Sequence, residues 1–265
     1  MSKFFVSRRF VLTIAAGLML AIGARGVAAA AEVTVMISGA FTPVYNKVKA
    51  DFEKQTGHKL IYVSGPSMGA TPQAIPNRLS RGETADVVIM ARAALDSLVE
   101  KKLAVAGSQT DLVHSYIAMA VKQGAPKPDI SSPDAVKKTL LNAKSVAYSD
   151  SASGVYISTK MFKDLGVDKE MATKAHKVEA TPVGESVAEG TYEIGFQQLS
   201  ELKAVHGIDI VGLLPEKINL MTVFSAGVSA NSKSPDAGKA LIAYLASPKA
   251  YKAIEESGLK PASKD

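Results

Sequence analysis

Five short segments of the sequence combine small residues, hydroxyl groups and polar side chains in a way that suits an anion. They are Ser38-Gly39-Ala40, residues 65–71 (GPSMGAT), Ala91-Arg92, residues 149–154 (SDSASG) and Gln197-Gln198. Each follows an apolar run typical of a β-strand, and several precede a helical pattern. A helix start offers unpaired backbone N–H groups, and small residues let a ligand approach the backbone closely. The segments therefore predict an anion-binding site assembled from several loops.

The candidates for contact with the anion lie in these segments and in the helix that follows the second one. They are Ser38, Gly39, Ser67, Met68, Gly69, Thr71, Arg78, Ser151, Ser153, Gly154, Gln197 and Gln198. A serine before a helix is more often an N-cap, which contributes about 1 kcal/mol to stability. Its recurrence at strand–helix junctions in both halves of the chain favours ligand contact. Gln197 and Gln198 point to opposite faces of a strand, so we expect only one of them to reach the ligand.

Two residues are candidates for catalysis, Glu185 and Arg92. Arg92 follows a buried strand at its carboxyl end, where a fixed cation could hold a carboxylate. Glu185 stands at a predicted helix start, and Glu201 is a second acidic candidate; a carboxylate with a raised pKa can act as a base. The alternative for Glu185 is structural, because an acidic side chain stabilises a helix N-terminus. Asp150 is more typical of a turn than of a catalyst.

Apolar runs alternate with helical patterns along the chain, which is typical of an α/β protein with helices on both faces of a parallel sheet. The predicted strands are Glu32–Ser38, Lys59–Val63, Ala85–Met90, Tyr116–Val121, Ser145–Tyr148, Tyr192–Gln197, Asp209–Leu213 and Val223–Ala230. The predicted helices are Phe41–Thr56, Pro72–Arg81, Ala93–Lys102, Ser132–Asn142, Val155–Leu165, Glu185–Gly190, Leu199–Val205, Asp236–Ser247 and Pro248–Ser257. The pattern forms two α/β units without a flexible linker. We expect two lobes, each a mostly parallel sheet flanked by helices, with the ligand between them.

Several other chemistries find little support in the sequence. It has no cysteine and four histidines without HExxH-like spacing, so we expect no metal centre and no cofactor. His58 and His206 lie beside glycines and are expected at the surface, and His176 is expected on a surface helix. His114 lies near the predicted crossing between the lobes. None of these histidines has a serine and an aspartate at triad-like positions, and the loops lack the carboxylate pair of a glycosidase.

The first thirty residues have the three parts of a secretory signal peptide. A basic start is followed by an apolar run from Phe10 to Ile22 and by small residues from Val27 to Ala31. The apolar run is shorter than the roughly 20 residues that a membrane anchor needs. Residues 7–12 (SRRFVL) also resemble a loose twin-arginine signal, although general secretory export is favoured. We therefore expect a soluble protein of the periplasm, exported by a cleaved signal peptide.

The charge of the chain changes when residues 1–30 are removed. The formal net charge falls from +6 to +2, because this segment holds four basic residues and no acidic one. No basic run remains, so nucleic-acid binding is not expected. We expect a small anionic ligand and a monomeric protein.

Four stretches of the sequence resemble the periplasmic molybdate-binding protein family of class II solute-binding proteins. They are ISGAF, GETADVVIM, YSDSASGVY and IGFQQLSEL, and the similarity runs from Val33 to Pro261. The resemblance implies the two-lobed periplasmic-binding-protein type II fold. It also implies a lobe 1 of residues 31–113 plus 216–265 and a lobe 2 of residues 114–215, after a signal peptide of residues 1–30.

Two departures from the molybdate binders favour a larger anion. The loop GPSMGAT is longer and poorer in serine, and Gln198 stands where those proteins have a tyrosine. With Arg78 or Arg92 nearby, this favours a tricarboxylate over a tetrahedral oxyanion. YSDSASGVY and GFQQLSEL are most similar to the aconitate isomerase branch, which implies interconversion of trans- and cis-aconitate by an allylic 1,3-proton shift. The alternative is a non-catalytic protein that delivers a polycarboxylate or a molybdate-like oxyanion to an ABC importer.

Overall fold

The computed structural model describes Met1 and residues 30–262, so the predicted signal peptide lies outside the described residues except for its first and last positions. The strands are β1 (Glu32–Ile37), β2 (Lys59–Ser64), β3 (Val87–Ala91), β4 (Thr110–Ser115), β5 (Ile117–Lys122), β6 (Val146–Ser149), β7 (Ala175–Val178), β8 (Ile194–Gln198), β9 (Ile208–Leu213), β10 (Thr222–Val228) and β11 (Lys260–Pro261). The helices are α1 (Thr42–Thr56), α2 (Ile75–Ser80), α3 (Arg92–Glu100), α4 (Pro133–Asn142), α5 (Ala152–Tyr156), α6 (Phe162–Asp164), α7 (Asp168–Lys174), α8 (Val183–Glu189), α9 (Leu199–Lys203), α10 (Pro235–Leu245) and α11 (Pro248–Glu256). Short 3₁₀ turns cover Gly39–Phe41 and Glu216–Ile218, and a π-helical turn covers Ile157–Met161.

The strands form two sheets, ordered β11-β4-β10-β3-β1-β2 and β7-β6-β8-β5-β9. β1 runs parallel to β2 and β3, and β6 runs parallel to β7 and β8. The chain passes from the first sheet to the second after β4 and returns before β10, and these crossing strands pair antiparallel with their neighbours. The predicted α/β class with two helix-flanked sheets is confirmed, and the crossing strands make each sheet mixed.

The central strands β1 and β3 of the first sheet are covered on both faces. Val33, Val35 and Ile37 of β1 pack into a core with α1, α10 and α11, while Met36 faces a second core with α2 and α3. Alternate residues of a strand point to opposite faces, so a strand covered on both sides is apolar throughout. This explains why the strand appears in the sequence as the uninterrupted run VTVMI.

The second sheet carries very small residues where α8 and α9 cover it. Ala118 and Ala120 of β5 face Leu202 of α9. A Cβ on Gly195 of β8 would lie 2.6 Å from a methyl group of Val187. The two helices therefore lie close to the sheet. Because α9 begins at Leu199, directly after β8, its first turn lies at the carboxyl end of this strand.

Two predicted helices differ in the structure. The helix expected at Val155–Leu165 begins earlier, at Ala152, and contains the π-helical turn. Gly154 permits this start, because a Cβ there would overlap the carbonyl oxygen of Ser149. The helix expected at Pro72–Arg81 is only α2, since the Ile75 N–H donates to the Pro66 carbonyl and keeps the preceding residues in a loop.

Two predictions for histidines were wrong. His58 is 6% exposed rather than at the surface, and its Nδ1 accepts a hydrogen bond from the Ala31 N–H at 3.2 Å. His176 lies in β7 and not on a helix, and its ring stacks on Tyr192 with centroids 5.1 Å apart. The sequence pattern missed β7 because this edge strand has no apolar alternation. Across residues 30–262, no helix combines the length and the hydropathy needed to cross a bilayer.

Candidate functional site

The two sheets meet where β1 and β8 end. The turn Gly39–Phe41 follows β1, and α9 follows β8. The Ser200 hydroxyl of α9 donates to the Ala40 carbonyl at 2.8 Å, which joins the two lobes. A Cβ on Gly39 would overlap Oε1 of Glu201, so only glycine leaves room for this carboxyl group. In open α/β sheets, ligands bind in the crevice at the carboxyl ends of strands.

The Glu201 carboxyl group in this crevice is held by the side chain of Gln197, and its pKa is raised. Its Oε1 accepts a hydrogen bond from Nε2 of Gln197 at 2.8 Å. Burial raises the pKa of Glu201 to about 8, and the charge of Asp150 adds to the increase, while hydrogen bonds with Gln197 and the Gln198 backbone oppose it. A carboxyl group with such a pKa in a cleft is a candidate for proton transfer.

A purely structural role for Glu201 is the competing interpretation. An acidic side chain at the third position of a helix often reaches back to the backbone of the N-cap, which here is Gln198. That contact is the smallest influence on the pKa of Glu201, and burial is the largest. A helix N-terminus favours the ionised form of a capping carboxylate, whereas burial raises the pKa of Glu201, so capping alone does not explain the arrangement.

Asp150 is a second carboxyl group of the cleft, and the sequence analysis treated it as a turn residue. It is 7% exposed, and its Oδ2 accepts a hydrogen bond from the Ala180 N–H at 3.1 Å. Burial raises the pKa of Asp150, with the Ala180 hydrogen bond opposing the shift. Ala180 has a φ of 54°, an uncommon conformation for a residue with a Cβ. The backbone beside Asp150 is thus held in a strained form.

The loops at residues 65–71 and 149–154 touch across the cleft. The Ser67 N–H donates to Oγ of Ser151 at 3.1 Å, and Oγ of Ser67 accepts from the Ala91 N–H at 2.9 Å. Gly69 has a φ of 113°, and a Cβ there would lie 2.8 Å from the Asp150 carbonyl oxygen. The two serines therefore tie loops together, and the Ser151 side chain does not cap α5.

The other predicted contacts of these loops lie nearby with different partners. Ser38 is buried at the end of β1 and makes no side-chain cap. The Ser153 and Ser149 hydroxyls are 3.0 Å apart. Met68 is partly buried and packs against both cores of the first lobe. Oγ1 of Thr71 is buried and has no hydrogen-bond partner within the described part of the chain, so this hydroxyl can still bind an acceptor.

Gln197 and Gln198 are both buried and face opposite sides of β8, as predicted. Gln197 contacts Glu201 in the cleft. Oε1 of Gln198 accepts from the Ser115 hydroxyl at 2.7 Å, and its Nε2 lies 3.4 Å from Oγ1 of Thr222. Ser115 ends β4 and Thr222 begins β10, so Gln198 binds both strands that connect the lobes.

Arg92 is bound to carboxylates of its own lobe. Its Nε donates to Asp96 at 2.8 Å and its Nη1 to Asp111 at 2.6 Å. Burial opposes ionisation of Asp111, but hydrogen bonds from Ser225 and Arg92 hold its pKa below the usual value. These bonds keep the guanidinium group beside β4, and contact with a ligand would require it to leave at least one of them.

Arg78 and Glu185 also lie apart from the Glu201 carboxyl group. Arg78 donates to Glu83 at 2.8 Å and to the Gln73 carbonyl at 3.0 Å. Glu185 is exposed on α8, whose buried face contains Val183, Gly184 and Val187. Whether Arg78, Arg92 and Glu185 contact a ligand stays a prediction. Within residues 30–262, no group of three or more His, Cys, Asp or Glu side chains is arranged to hold a metal ion.

The family of the chain follows from its match to a known sequence pattern. Residues 33–260 match the model described as bacterial extracellular solute-binding protein. The chain belongs to this solute-binding protein family. The match spans both sheets and every loop of the cleft.

Relatives of this solute-binding protein include one that is named as an enzyme. A Pseudomonas sp. protein named aconitate isomerase is 55% identical over 228 residues, which cover 86% of this chain and 87% of that protein. The molybdate-binding protein ModA of Azotobacter vinelandii is 30% identical over 266 residues, covering 96% and 98% of the two chains. The solved periplasmic molybdate-binding protein of Azotobacter vinelandii superposes with a TM-score of 0.69 at 20% identity, covering 86% of this chain and 98% of that one. The predicted periplasmic-binding-protein type II fold is thereby confirmed.

Two polar residues of this solute-binding protein were not among the predicted site residues. Asp150 directly follows β6, the same strand-end position that selected its neighbours Ser151 and Ser153, so the sequence carried a signal for it. Ser115 ends β4, which the sequence pattern did not indicate as a strand, so no strand-end signal was available for Ser115.

Proposed function

We propose that this protein is an aconitate isomerase that interconverts trans- and cis-aconitate in the cleft between its lobes. The observation that carries the proposal is the Glu201 carboxyl group: the side chain as a whole is partly exposed, but its carboxyl oxygen is packed against Gly39, and desolvation raises its pKa to about 8. The 55% identity to a protein named aconitate isomerase supports the choice of reaction and substrate.

The proposed reaction is an allylic 1,3-proton shift. The Glu201 carboxylate takes a proton from the methylene carbon of aconitate, and the electron pair of the broken C–H bond spreads over the three-carbon unit and the adjoining carboxylate. The carboxyl group then returns the proton to the former vinyl carbon, where a new C–H bond forms as the double bond moves. The step is neutral in electrons and atoms, and a group with a pKa near 8 can both take and return the proton.

The loops around Glu201 supply hydrogen-bond donors for the carboxylates of the substrate. We assign this role to Ser38, Gly39, Ser67, Met68, Gly69, Thr71, Ser151, Ser153 and Gly154. Donors aimed at a carboxylate stabilise the negative charge that develops when the neighbouring C–H bond breaks. Oγ1 of Thr71 favours this role, because it is buried and has no other partner among the described residues.

The family supports a location outside the cytoplasm. We propose that residues 1–30 act as a cleaved signal peptide and that the mature chain works as a monomer in the periplasm. We expect mass spectrometry of periplasmic extracts to detect a mature chain that begins near Ala31. Retention of residues 1–30 in the exported protein would contradict this part of the proposal.

The proposed function is tested with purified mature protein and trans-aconitate. We expect cis-aconitate to appear and approach a constant ratio to the trans isomer when the mixture is separated by liquid chromatography. We also expect both isomers, but not molybdate, to raise Tm, because a ligand that binds the folded state stabilises it. A protein whose Tm responds to molybdate and to neither aconitate isomer would contradict the proposal.

A non-catalytic binding protein is the second candidate. The family description and the molybdate-binding relative favour it. Such a protein would deliver a polycarboxylate or an oxyanion to an ABC importer and would leave bound trans-aconitate unchanged. Stabilisation by aconitate without any conversion over hours therefore identifies this second function.

A further inference from the structure

Gln197 and Gln198 place two buried primary amides on opposite faces of the end of β8. Their side chains are 3% and 1% exposed. Burial of an amide without partners is costly, so each group needs its hydrogen bonds. Gln198 finds them on the strands that connect the lobes, whereas Gln197 finds them at the starts of α8 and α9.

The orientation of the Gln197 amide is fixed by its two partners. Its Oε1 accepts a hydrogen bond from the Val183 N–H at 2.8 Å, and a backbone N–H can only donate. The opposite end of the amide is therefore the NH₂ group. Nε2 donates to Oε1 of Glu201 at 2.8 Å, so this carboxyl oxygen is an acceptor.

The same carboxyl oxygen is confined by Gly39. A Cβ on Gly39 would overlap Oε1 of Glu201, so this oxygen lies between the amide on one side and the glycine backbone on the other. A neutral carboxyl group carries its proton on one oxygen only. An oxygen that accepts from an amide N–H is the better site for negative charge, so the contact with Gln197 favours the proton of neutral Glu201 on Oε2.

We propose that Gln197 is a positioning residue that holds Glu201 by Oε1 and leaves Oε2 as the oxygen that takes and returns the proton. The inference rests on the proposed isomerase function and identifies the oxygen atom and the residue that presents it. Gln197 acts through Glu201 and does not itself touch the reacting carbon atoms.

The groups around Glu201 decide how the loss of Gln197 acts. Asp150 raises the pKa of Glu201, whereas the hydrogen bonds from Gln197 and the Gln198 backbone lower it. Lys203 of the same helix donates to the Glu256 carbonyl and is exposed. Without the Gln197 donor, the carboxylate loses its strongest stabilising contact, and the pKa of Glu201 rises.

The test measures the titration of Glu201 directly in full-length mature protein labelled with ¹³C at the glutamate carboxyl carbon. The Glu201 signal is identified by its absence in Glu201→Gln. We compare Gln197→Met, which removes the donor, Gln197→Glu, which keeps an acceptor for Val183, and Gln198→Met as the matched control. A melting curve of each variant checks that it folds.

We expect the midpoint of the Glu201 signal to rise by about one pH unit or more in Gln197→Met, as loss of one charge-assisted hydrogen bond implies. In Gln197→Glu the two carboxyl groups titrate as a pair, with the upper midpoint above the wild-type value. Gln198→Met should keep the wild-type midpoint. At pH 7, Gln197→Met should have a kcat/KM about tenfold lower than wild type that recovers at higher pH, since the ionised fraction falls about tenfold per unit.

Three outcomes would overturn the inference. One is a wild-type midpoint in both Gln197 variants, and another is an equal shift in Gln198→Met. The third is a rate that falls by the same factor at every pH, which is the mark of a merely structural role. If the wild-type protein does not isomerise aconitate, the proposed function fails, while the ¹³C titration still decides whether Gln197 sets the state of Glu201.

Discussion

The surroundings of Glu201 and of Arg92 have opposite effects on ionisation: those of Glu201 favour its neutral form, whereas those of Arg92 favour its charged form. Arg92 forms ion pairs with Asp96 and Asp111, and these contacts raise the pKa of Arg92, while Ser225 and Arg92 lower that of Asp111. The groups that act on Glu201 are an amide, a backbone group and the carboxyl group of Asp150, so burial keeps Glu201 neutral up to about pH 8. The paired charges of Arg92 hold structure in place. Glu201 has no cation among the groups that act on it, so it can gain and lose a proton near pH 8.

The largest difference is expected between Glu201 and Glu185, two glutamates of the second lobe. Glu201→Gln should lower kcat by about 10²- to 10⁴-fold, the usual contribution of a general acid–base group. Glu185→Gln, the matched control on the exposed face of α8, should stay within about twofold of the wild-type rate, because surface changes away from a site have small effects. Steady-state rates from liquid chromatography measure both.

The pH dependence of Tm in Glu201→Gln and in wild type shows whether the variant is folded and whether the pKa of Glu201 is raised. The pKa of Glu201 in the folded protein is about 8, above its ordinary value of 4.5, so its contribution to stability is full below pH 4.5 and is lost as the pH rises towards 8. The Tm of Glu201→Gln relative to wild type should therefore increase by several degrees from pH 5 to pH 8. If the Tm of Glu201→Gln relative to wild type instead decreases from pH 5 to pH 8, the pKa of Glu201 is not raised in the folded protein.

The next largest effect is expected from Gly39→Ala. The added methyl group would overlap Oε1 of Glu201 and displace the carboxyl group, and a shift of about 1 Å at a reacting group can lower a rate about 100-fold. Gly212→Ala is the matched control, because its Cβ would meet Ile130 at an ordinary distance of 3.5 Å. If both alanine variants keep the wild-type kcat, Gly39 does not form the wall of the site.

The pH dependence of the wild-type enzyme should show a tenfold effect per pH unit. The free enzyme needs ionised Glu201 to take the first proton, so kcat/KM should rise about tenfold per unit below pH 8 and level off above it. Initial rates between pH 5.5 and 9.5 measure this limb. A profile that is flat over this range, or one that falls between pH 6 and 8, would remove Glu201 from the role of base.

The smallest effect on rate is expected at the ion-pair cluster. Arg92→Ala should lower Tm by a few degrees, because Asp111 loses a partner, while kcat/KM stays within about threefold of the wild-type value. Kinetics of this variant distinguish the two roles of Arg92. If KM instead rises by about two orders of magnitude at an unchanged kcat, the variant has lost substrate binding, and the sequence-based hypothesis that Arg92 grips the substrate gains support.

Much of the fold was predictable, because both sheets have buried strands that show as apolar runs. The run VTVMI is apolar apart from Thr34, since β1 is covered on both faces. The exposed edge strand β7 has no such pattern, and β4 carries charged and polar residues between the lobes, so both escaped prediction. Strand-end position selected Ser67 and Ser151, which contact each other, and Gly39 and Gln197, which both contact Glu201; their contact with a ligand stays a prediction.

The choice between Glu185 and Glu201 was not predictable from spacing. Both lie in the first turn of a short helix, and which carboxyl group turns inward depends on how closely α8 and α9 approach the sheet. That distance is set by the small side chains of Ala118, Ala120 and Gly195 on other elements. The ion pair between Arg92 and Asp111 was also not predictable, because Asp111 lies on β4, a strand that the sequence pattern did not indicate.

The role of Glu201 in isomerisation is tested most directly by proton NMR of the substrate. Wild-type protein and Glu201→Gln are each incubated with trans-aconitate in buffer at pH 8, and proton NMR follows the methylene and vinyl signals. With wild-type protein, the signals of trans-aconitate should decrease as those of cis-aconitate increase, whereas Glu201→Gln should leave the spectrum unchanged over the same time. Conversion by Glu201→Gln at the wild-type rate, or an unchanged spectrum with wild-type protein, would contradict the account.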